Sequence, residues 1–137
     1  MTCVVLDSEA LSALAGRNSK RQREVRAALA VALRLGREVI VPAVVLAELY
    51  RGRGRSALID ACLSRETGLA VRDTDRAFAR LVGGILATAS IGSEMMVDAH
   101  VVAAAVERGA GLLLTGDPGD LEKLAAPYRN LTVVSIA

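Results

Sequence analysis

The segment 97–117 constrains the fold most, because it predicts a helix, a buried strand and an acidic turn in direct succession. Asp98 lies at the start of the helix, where a carboxylate suits the positive end of the helix dipole. Gly109 and Gly111 suit a helix stop and a tight turn into the strand. The strand ends at Leu114 and is short and apolar, which is typical of a strand buried on both faces. Asp117 follows its carboxyl end, where ligands bind in open α/β sheets.

The beginning of the chain repeats this arrangement of strand and acid. Residues 2–6 predict an apolar strand that Asp7 ends, and Ser8 is a candidate N-cap for the following helix. A third acid, Glu48, lies in an otherwise apolar helix that begins near Pro42, after the strand 38–41. A carboxylate among aliphatic side chains is costly unless it is paired or binds a metal, so these acids indicate a functional site. The four acids are Asp7, Glu48, Asp98 and Asp117.

Predicted strands and helices alternate along the whole chain. No repeat, low-complexity segment or linker interrupts them, so we expect one domain over residues 1–137. Further strands are predicted at 69–72 and 131–135, and Asp75 is interpreted as the cap of a long helix. A helix that ends at Leu35 is expected to pack through Val25, Leu29, Ala32 and Leu33. The alternation predicts a parallel sheet with helices on both faces and right-handed crossovers.

The histidine and cysteine content excludes several kinds of site. His100 is the only histidine, which excludes a ribonuclease with paired histidines and a histidine-rich zinc site. It lies two residues after Asp98 and therefore points away from the acid's face of the helix, so we expect a structural role. Cys3 and Cys62 have no ligand or redox spacing and are expected to be buried thiols.

No segment of the sequence predicts a membrane span. The longest apolar run, 39–47, is interrupted by Pro42 and is too short to cross a bilayer. We recognise no charged leader with a cleavage site, and we therefore expect no membrane association and a cytoplasmic location.

The formal net charge is only +2, but the basic residues are unevenly distributed, and nearly all are arginines. Arg51, Arg53 and Arg55 follow Glu48 closely, and the glycines between them leave the backbone free to approach a phosphate chain. These three are candidates for contact with an RNA backbone, because an aromatic content of 2% argues against a stacking platform for bases. Another cluster of basic residues lies earlier in the sequence and is typical of a solvated helix face. It comprises Arg17, Lys20, Arg21, Arg23 and Arg26.

The four acids offer only hard oxygen ligands, which suit Mg²⁺, or Mn²⁺, rather than zinc or copper. Such an ion activates water for attack on a phosphodiester. We assign all four as catalytic and Asp7, Asp98 and Asp117 as metal ligands. Thr115 and Ser8 are expected to support them by hydrogen bonds. Asp120 is either a further ligand or a helix cap.

Several segments together resemble the PIN-domain ribonucleases, in particular the VapC-type toxins of VapBC toxin–antitoxin systems. They occur in the family's order and cover essentially the whole chain. The matching segments are Val-Val-Leu-Asp-Ser at 4–8, Val-Pro-Ala-Val-Val-Leu-Ala-Glu-Leu at 41–49, Val-Asp-Ala at 97–99 with the helix 102–105, Leu-Thr-Gly-Asp at 114–117, and Asp-Leu at 120–121.

The resemblance implies an α/β fold, a PIN-like three-layer α/β/α architecture around a central five-stranded parallel sheet with the first and fourth strands adjacent. It also implies metal-dependent RNA cleavage by the four acids, with Thr115 supporting. The expected partners are an RNA substrate, a cognate VapB-type antitoxin that blocks the site, and a second copy of the chain in a homodimer. His100 departs from the family pattern, which more often has an aliphatic residue there.

Three other functions are alternatives to an endoribonuclease for a chain with acids at its strand ends. A receiver-like signalling domain needs paired acids at the first strand and a lysine at a late strand end, whereas Lys123 lies on a predicted helix. A haloacid-dehalogenase-like phosphatase needs an aspartate where Glu9 stands. A non-catalytic PIN-like domain that only binds RNA or protein remains the alternative to an endoribonuclease.

Overall fold

The computed structural model describes residues 2–136, which form five strands and seven α-helices in alternation. The strands are β1 (Thr2–Leu6), β2 (Val39–Pro42), β3 (Leu69–Arg72), β4 (Ala110–Thr115) and β5 (Leu131–Ser135). The helices are α1 (Ser8–Ala15), α2 (Lys20–Arg34), α3 (Ala43–Leu49), α4 (Arg53–Arg65), α5 (Arg76–Thr88), α6 (Met96–Val106) and α7 (Pro118–Ala125), and a 3₁₀ turn (Ser93–Met95) precedes α6. None of the helices described is long and apolar enough to cross a membrane.

All five strands are parallel and belong to one sheet, in the order β3-β2-β1-β4-β5. The chain moves outward from β1 to β3 on one side, then crosses back and continues through β4 to β5 on the other. The order in which the chain adds strands to the sheet therefore reverses between β1 and β4. These two parallel strands are paired from Thr2–Ala110 to Leu6–Leu114. This confirms the predicted five-stranded parallel sheet with adjacent first and fourth strands. It also creates a crevice at the carboxyl ends of β1 and β4.

The helices cover both faces of the sheet, as the alternation predicted. Helix α1 contacts α2, α3 and α4, whereas α6 contacts α5 and α7 on the other face. Apart from Asp98 and His100, helix α6 is apolar, and residues 99–105 are all buried between the sheet and its neighbouring helices. Gly111 permits this close packing, because a Cβ there would lie 2.9 Å from both Ala105 Cβ and Cys3 Sγ.

His100 is buried in the interface between α5 and α6, which agrees with its predicted structural role. Its Nδ1 lies 2.7 Å from the carbonyl oxygen of Met96, so this nitrogen carries the proton and donates it. The imidazole meets the Phe78 ring edge-on at 5.7 Å, and the Arg72 guanidinium lies 4.4 Å from the centre of that ring. The side chain that departs from the family pattern therefore fastens α6 to α5. Cys3 and Cys62 are buried free thiols, as predicted.

Three local predictions are wrong. Leu33 is 64% exposed and rests against Gly68, because it lies at the margin of the α2 face on which Val25 and Ala32 are buried. The N-cap of α1 is Asp7 rather than Ser8. Helix α4 begins at Arg53, so Arg53 and Arg55 lie in its first turn, where the helix fixes the backbone that the glycines were expected to leave free, whereas Arg51 precedes the helix.

Candidate functional site

An acidic cavity of about 230 Å³ opens at the carboxyl ends of β1 and β4. The sheet brings Asp7 and Asp117 to this crevice, because each follows one of the two adjacent strands. Asp98 reaches it from the first turn of α6, Glu48 from α3 and Asp120 from the first turn of α7. The other lining residues are Ser8, Glu9, Ser93, Glu94, Met95, Met96 and Val97.

Asp7 forms the buried floor of the acidic cavity and is only 6% exposed. Its backbone N–H donates to the carbonyl oxygen of Leu114 at 3.2 Å, which ties the residue to the end of β4. Its Oδ1 accepts a hydrogen bond of 2.9 Å from the backbone N–H of Ala10, so the carboxylate also caps α1. Burial raises the pKa of Asp7, and hydrogen bonding from the Thr115 hydroxyl and Ala10 lowers it in part. The carboxylate is therefore held in a fixed orientation.

Thr115 links two acids of the site. Its side chain is fully buried, and its Oγ1 accepts a hydrogen bond of 2.9 Å from the backbone N–H of Asp117. The same hydroxyl lowers the pKa of Asp7 by hydrogen bonding to it. Because one hydroxyl can accept and donate at once, Thr115 sets the position of Asp117 relative to Asp7.

Asp98 is the electrostatic centre of the acidic cavity. Its pKa is raised from 3.8 to about 6, first because the carboxyl is partly buried and then because other acids surround it. The repelling charges belong to Asp120, Asp7, Glu48 and Asp117, in that order of effect. The structure thus brings together all four acids singled out from the sequence, with Asp120 as a fifth.

The acids differ in burial more than the sequence argument assumed. Asp7 is buried and Asp98 half-buried, whereas Glu48 and Asp117 lie exposed on the rim. The cost of burying a carboxylate among aliphatic groups therefore applies only to Asp7 and Asp98. The apolar residues beside Glu48 and Asp117 face the core, while the acids point out of it.

Ser8 and Asp120 both line the cavity. The sequence made each of them a candidate helix cap, but neither side chain caps a helix in the structure. The Ser8 Oγ is buried and has no hydrogen-bond partner within residues 2–136. An unpartnered buried hydroxyl beside Asp7 has a free donor for a ligand oxygen. No side chain caps α7, and Asp120 instead adds its charge to Asp98 from the first turn of that helix.

The donor set fits a divalent cation with oxygen ligands, since it consists of carboxylates and one unpartnered hydroxyl. Within the part of the chain described, no three Asp, Glu, His or Cys side chains are already grouped as ligands of one ion. Mutual repulsion accounts for the separation of the carboxylates, because carboxylates close enough to share a cation repel each other when no cation lies between them.

The turn before α6 also lines the acidic cavity, which the sequence analysis did not foresee. Ser93, Glu94 and Met95 form one wall, and Glu94 accepts a hydrogen bond of 3.3 Å from the Gly92 backbone N–H. The signal available was an acid in the segment directly before the helix that carries Asp98.

Of the three arginines assigned to RNA, Arg51 is the one with a partner within residues 2–136, and its Nε donates to the carbonyl oxygen of Glu48 at 3.0 Å. Arg53 and Arg55 are exposed in the first turn of α4. The assignment of these arginines to RNA stays a prediction.

We expect Asp98→Asn to stabilise the metal-free protein at neutral pH. The folded-state pKa of Asp98, about 6, exceeds its ordinary value of 3.8, so wild-type stability should fall as the pH rises from 4 to 6. After allowance for its partial exposure, the gain in the free energy of unfolding above pH 7 should be about 1–2 kcal/mol. The gain should vanish near pH 4. Urea unfolding with EDTA present, from pH 4 to 8, measures it.

Asp73→Asn is the matched control, because Asp73 is exposed and lies outside the acidic cavity. The same stability difference between Asp98→Asn and wild type at pH 4 and pH 8 would contradict the ionisation of the partly buried Asp98 carboxyl as its cause.

Comparison with known proteins places the fold. The sequence profile of the PIN domain matches residues 4–127. A chain of the crystal structure of VapBC2 from Rickettsia felis, bound to a promoter DNA fragment, superposes with a TM-score of 0.66 at 14% identity over 98% of both chains. A chain of DNA-bound VapBC from Salmonella typhimurium gives 0.65 at 16% identity over 100% of both. No curated protein matches the sequence significantly. With about nine-tenths of its length matched by the family profile, the chain belongs to the PIN domain family.

Proposed function

We propose that the protein is a metal-dependent endoribonuclease that hydrolyses RNA phosphodiester bonds with an activated water. One observation carries the proposal: the charges of four other acids converge on Asp98 in a cavity at the carboxyl ends of β1 and β4. Acids gathered so closely are costly to keep ionised without a cation, and membership of the PIN domain family agrees with a nuclease.

Mg²⁺ is the proposed ion, with Mn²⁺ as a substitute, and Asp7, Asp98 and Asp117 are its proposed ligands. When bound, such an ion supplies Lewis-acid activation of water and neutralises charge that develops on the phosphate. Glu48, on the exposed rim, faces the same cavity from α3 and is proposed to orient the attacking water.

The remaining side chains position this centre. Asp7 is oriented by the backbone of Ala10 and by Thr115, and Thr115 in turn orients Asp117. The Ser8 Oγ has a free proton to donate to a phosphate or water oxygen in the acidic cavity. Asp120 contributes negative charge at the mouth, which strengthens attraction for a cation.

We further propose that the protein is the toxin of a type II toxin–antitoxin pair, acting in the cytoplasm, and that a VapB-type antitoxin and a second copy of the chain are its partners. Both structural neighbours named above are VapBC complexes bound to DNA. Exposed apolar side chains supply surface for such interfaces. They include Val31, Leu33, Leu35, Leu58 and Val71.

Metal removal is the direct test. With purified protein and a mixed RNA substrate, cleavage should require Mg²⁺ or Mn²⁺ and should stop on addition of EDTA. The same ions should raise the melting temperature, because they bind the folded state only. Calcium serves as a control ion of the same charge but larger size and less strict geometry.

RNA cleavage that persists in EDTA would overturn the metal-dependent mechanism. If RNA is bound but not cut with either ion, the alternative holds, and the domain is a non-catalytic binder of RNA or protein.

A further inference from the structure

A second cavity of about 400 Å³ adjoins the acidic one, and the two share Ser8, Glu9 and Glu48 in their walls. We call it the arginine groove, because Arg21 of α2 and Arg55 of α4 line it beyond the shared wall. Its other lining residues are Ser12, Ala13, Ser19 and Leu49. A continuous depression thus runs from a cluster of carboxylates to two guanidinium groups.

Both arginines lie in the first turns of their helices, where backbone N–H groups add positive charge. Neither α2 nor α4 has an acidic residue in its first turn to cancel that charge. Ser19 caps α2 through its hydroxyl, whereas the N-cap of α4 is Gly52, which has no side chain to cap it. The groove therefore offers an anion two guanidinium groups, each carried by the first turn of a helix.

The two guanidinium groups are available to a ligand. Among the described residues, Arg21 forms its one ion pair with Glu9, at 3.6 Å, and both side chains are 45% exposed. An ion pair so open to solvent is weak and is easily exchanged for a phosphate. Arg55 makes no ion pair or hydrogen bond with any residue in the described range 2–136. Of the three arginines that follow Glu48 in the sequence, only Arg55 lines the groove.

Resting on the proposed RNA-cleaving function, we propose that the arginine groove holds the sugar-phosphate backbone of one RNA strand that extends from the scissile bond. Arg21 and Arg55 contact phosphates neighbouring the one that lies among the carboxylates. Glu9 is a positioning residue: its carboxylate holds Arg21 at the rim until a phosphate replaces it. The residues that line the groove include no aromatic side chain to select a base.

Binding of RNA in the Asp98→Asn background, without metal, tests the groove separately from cleavage. The probe is a fluorescein-labelled single-stranded RNA of mixed sequence, followed by anisotropy over a range of KCl concentrations. Arg21→Ala with Arg55→Ala should weaken binding on the order of tenfold or more at low salt. The slope of log affinity against log salt should become shallower by about 1.4, since each single-strand phosphate contact contributes about 0.7.

The matched control removes two arginines from the same helices outside the groove, Arg23→Ala with Arg65→Ala. These changes should leave the slope nearly unchanged. Equal slopes and affinities for the two double variants would overturn the groove assignment. Thermal unfolding confirms that all variants remain folded.

Glu9→Gln tests the exchange of partners at Arg21. It should tighten RNA binding, and the gain should be clearly smaller when Arg21 is alanine, because the competing ion pair is then already absent. An equal gain in both backgrounds would contradict the role of Glu9.

If the wild type cuts RNA with Mg²⁺ but the two double variants bind RNA alike, only the groove assignment fails. If the salt dependence of binding changes as expected but the wild type does not cut RNA with Mg²⁺, only the proposed catalysis fails.

Discussion

Asp98→Asn should reduce Mg²⁺-dependent RNA cleavage at least about 100-fold while leaving the fold intact. Loss of a residue that merely supports a metal ligand costs about 10–100-fold, and Asp98 is proposed as a ligand itself. The amide has nearly the same shape as the carboxyl but lacks its charge, so α6 should pack unchanged. Rates of cleavage under single-turnover conditions, compared with wild type at one ion concentration, provide the measurement.

Asp73→Asn again serves as the control, because it removes one exposed acid outside the acidic cavity. It should cleave at the wild-type rate. The position of Asp98 at the centre of four repelling acids makes its variant the most informative of the set. Undiminished cleavage by Asp98→Asn would refute the site assignment, or reveal a contaminating nuclease if the rate does not scale with protein concentration.

Phe78→Ala should lower the free energy of unfolding by about 3–5 kcal/mol, a large part of the stability of a small domain. Phe78 is the only phenylalanine, is 1% exposed, and joins α5 to His100 of α6 while Arg72 covers its ring. Removing the ring leaves a cavity and also loses the favourable contacts with the imidazole and guanidinium. Urea unfolding, with the m-value checked against wild type, measures the loss.

Leu81→Ala is the companion variant on the same helix, since Leu81 is only partly buried there. It should cost clearly less than Phe78→Ala. Comparable losses at the two positions would show that the Phe78–His100 contact contributes nothing specific to the joining of α5 and α6.

The regular elements and the identity of the acids were predictable from the sequence. An apolar strand bounded by glycine, such as β4, and a helix opened by Asp75 depend on neighbouring residues alone, and Asp75 does cap α5 by accepting from Phe78 N–H at 2.8 Å. Order along the chain also predicted the sheet, because alternating strands and helices with right-handed crossovers leave few arrangements. The adjacency of β1 and β4, which brings together the acids that follow them, was implied by the resemblance to the PIN-domain ribonucleases rather than by chain order, and the structure has it.

The exposure of those acids could not be predicted in the same way. Glu48 and Asp117 follow apolar runs as closely as Asp7 does, yet they lie on the rim while Asp7 forms the floor. Whether a side chain at a strand end is buried depends on which helix covers it, and that helix can be distant in the sequence. Leu33 was misplaced for the same reason, since it lies at the margin of the packed face.

By itself, therefore, the sequence determined the strands, the helices and the parallel sheet, because these follow from local periodicity and chain order, and it singled out the acids that we propose as ligands of a divalent cation. Only the tertiary structure decided which surfaces surround the acids. Arg21 and Arg55 are separated by 34 positions along the chain, and they line one groove because α2 and α4 pack on the same face of the sheet as α1. Contacts between distant segments depend on how whole helices pack, which no pattern within either segment records.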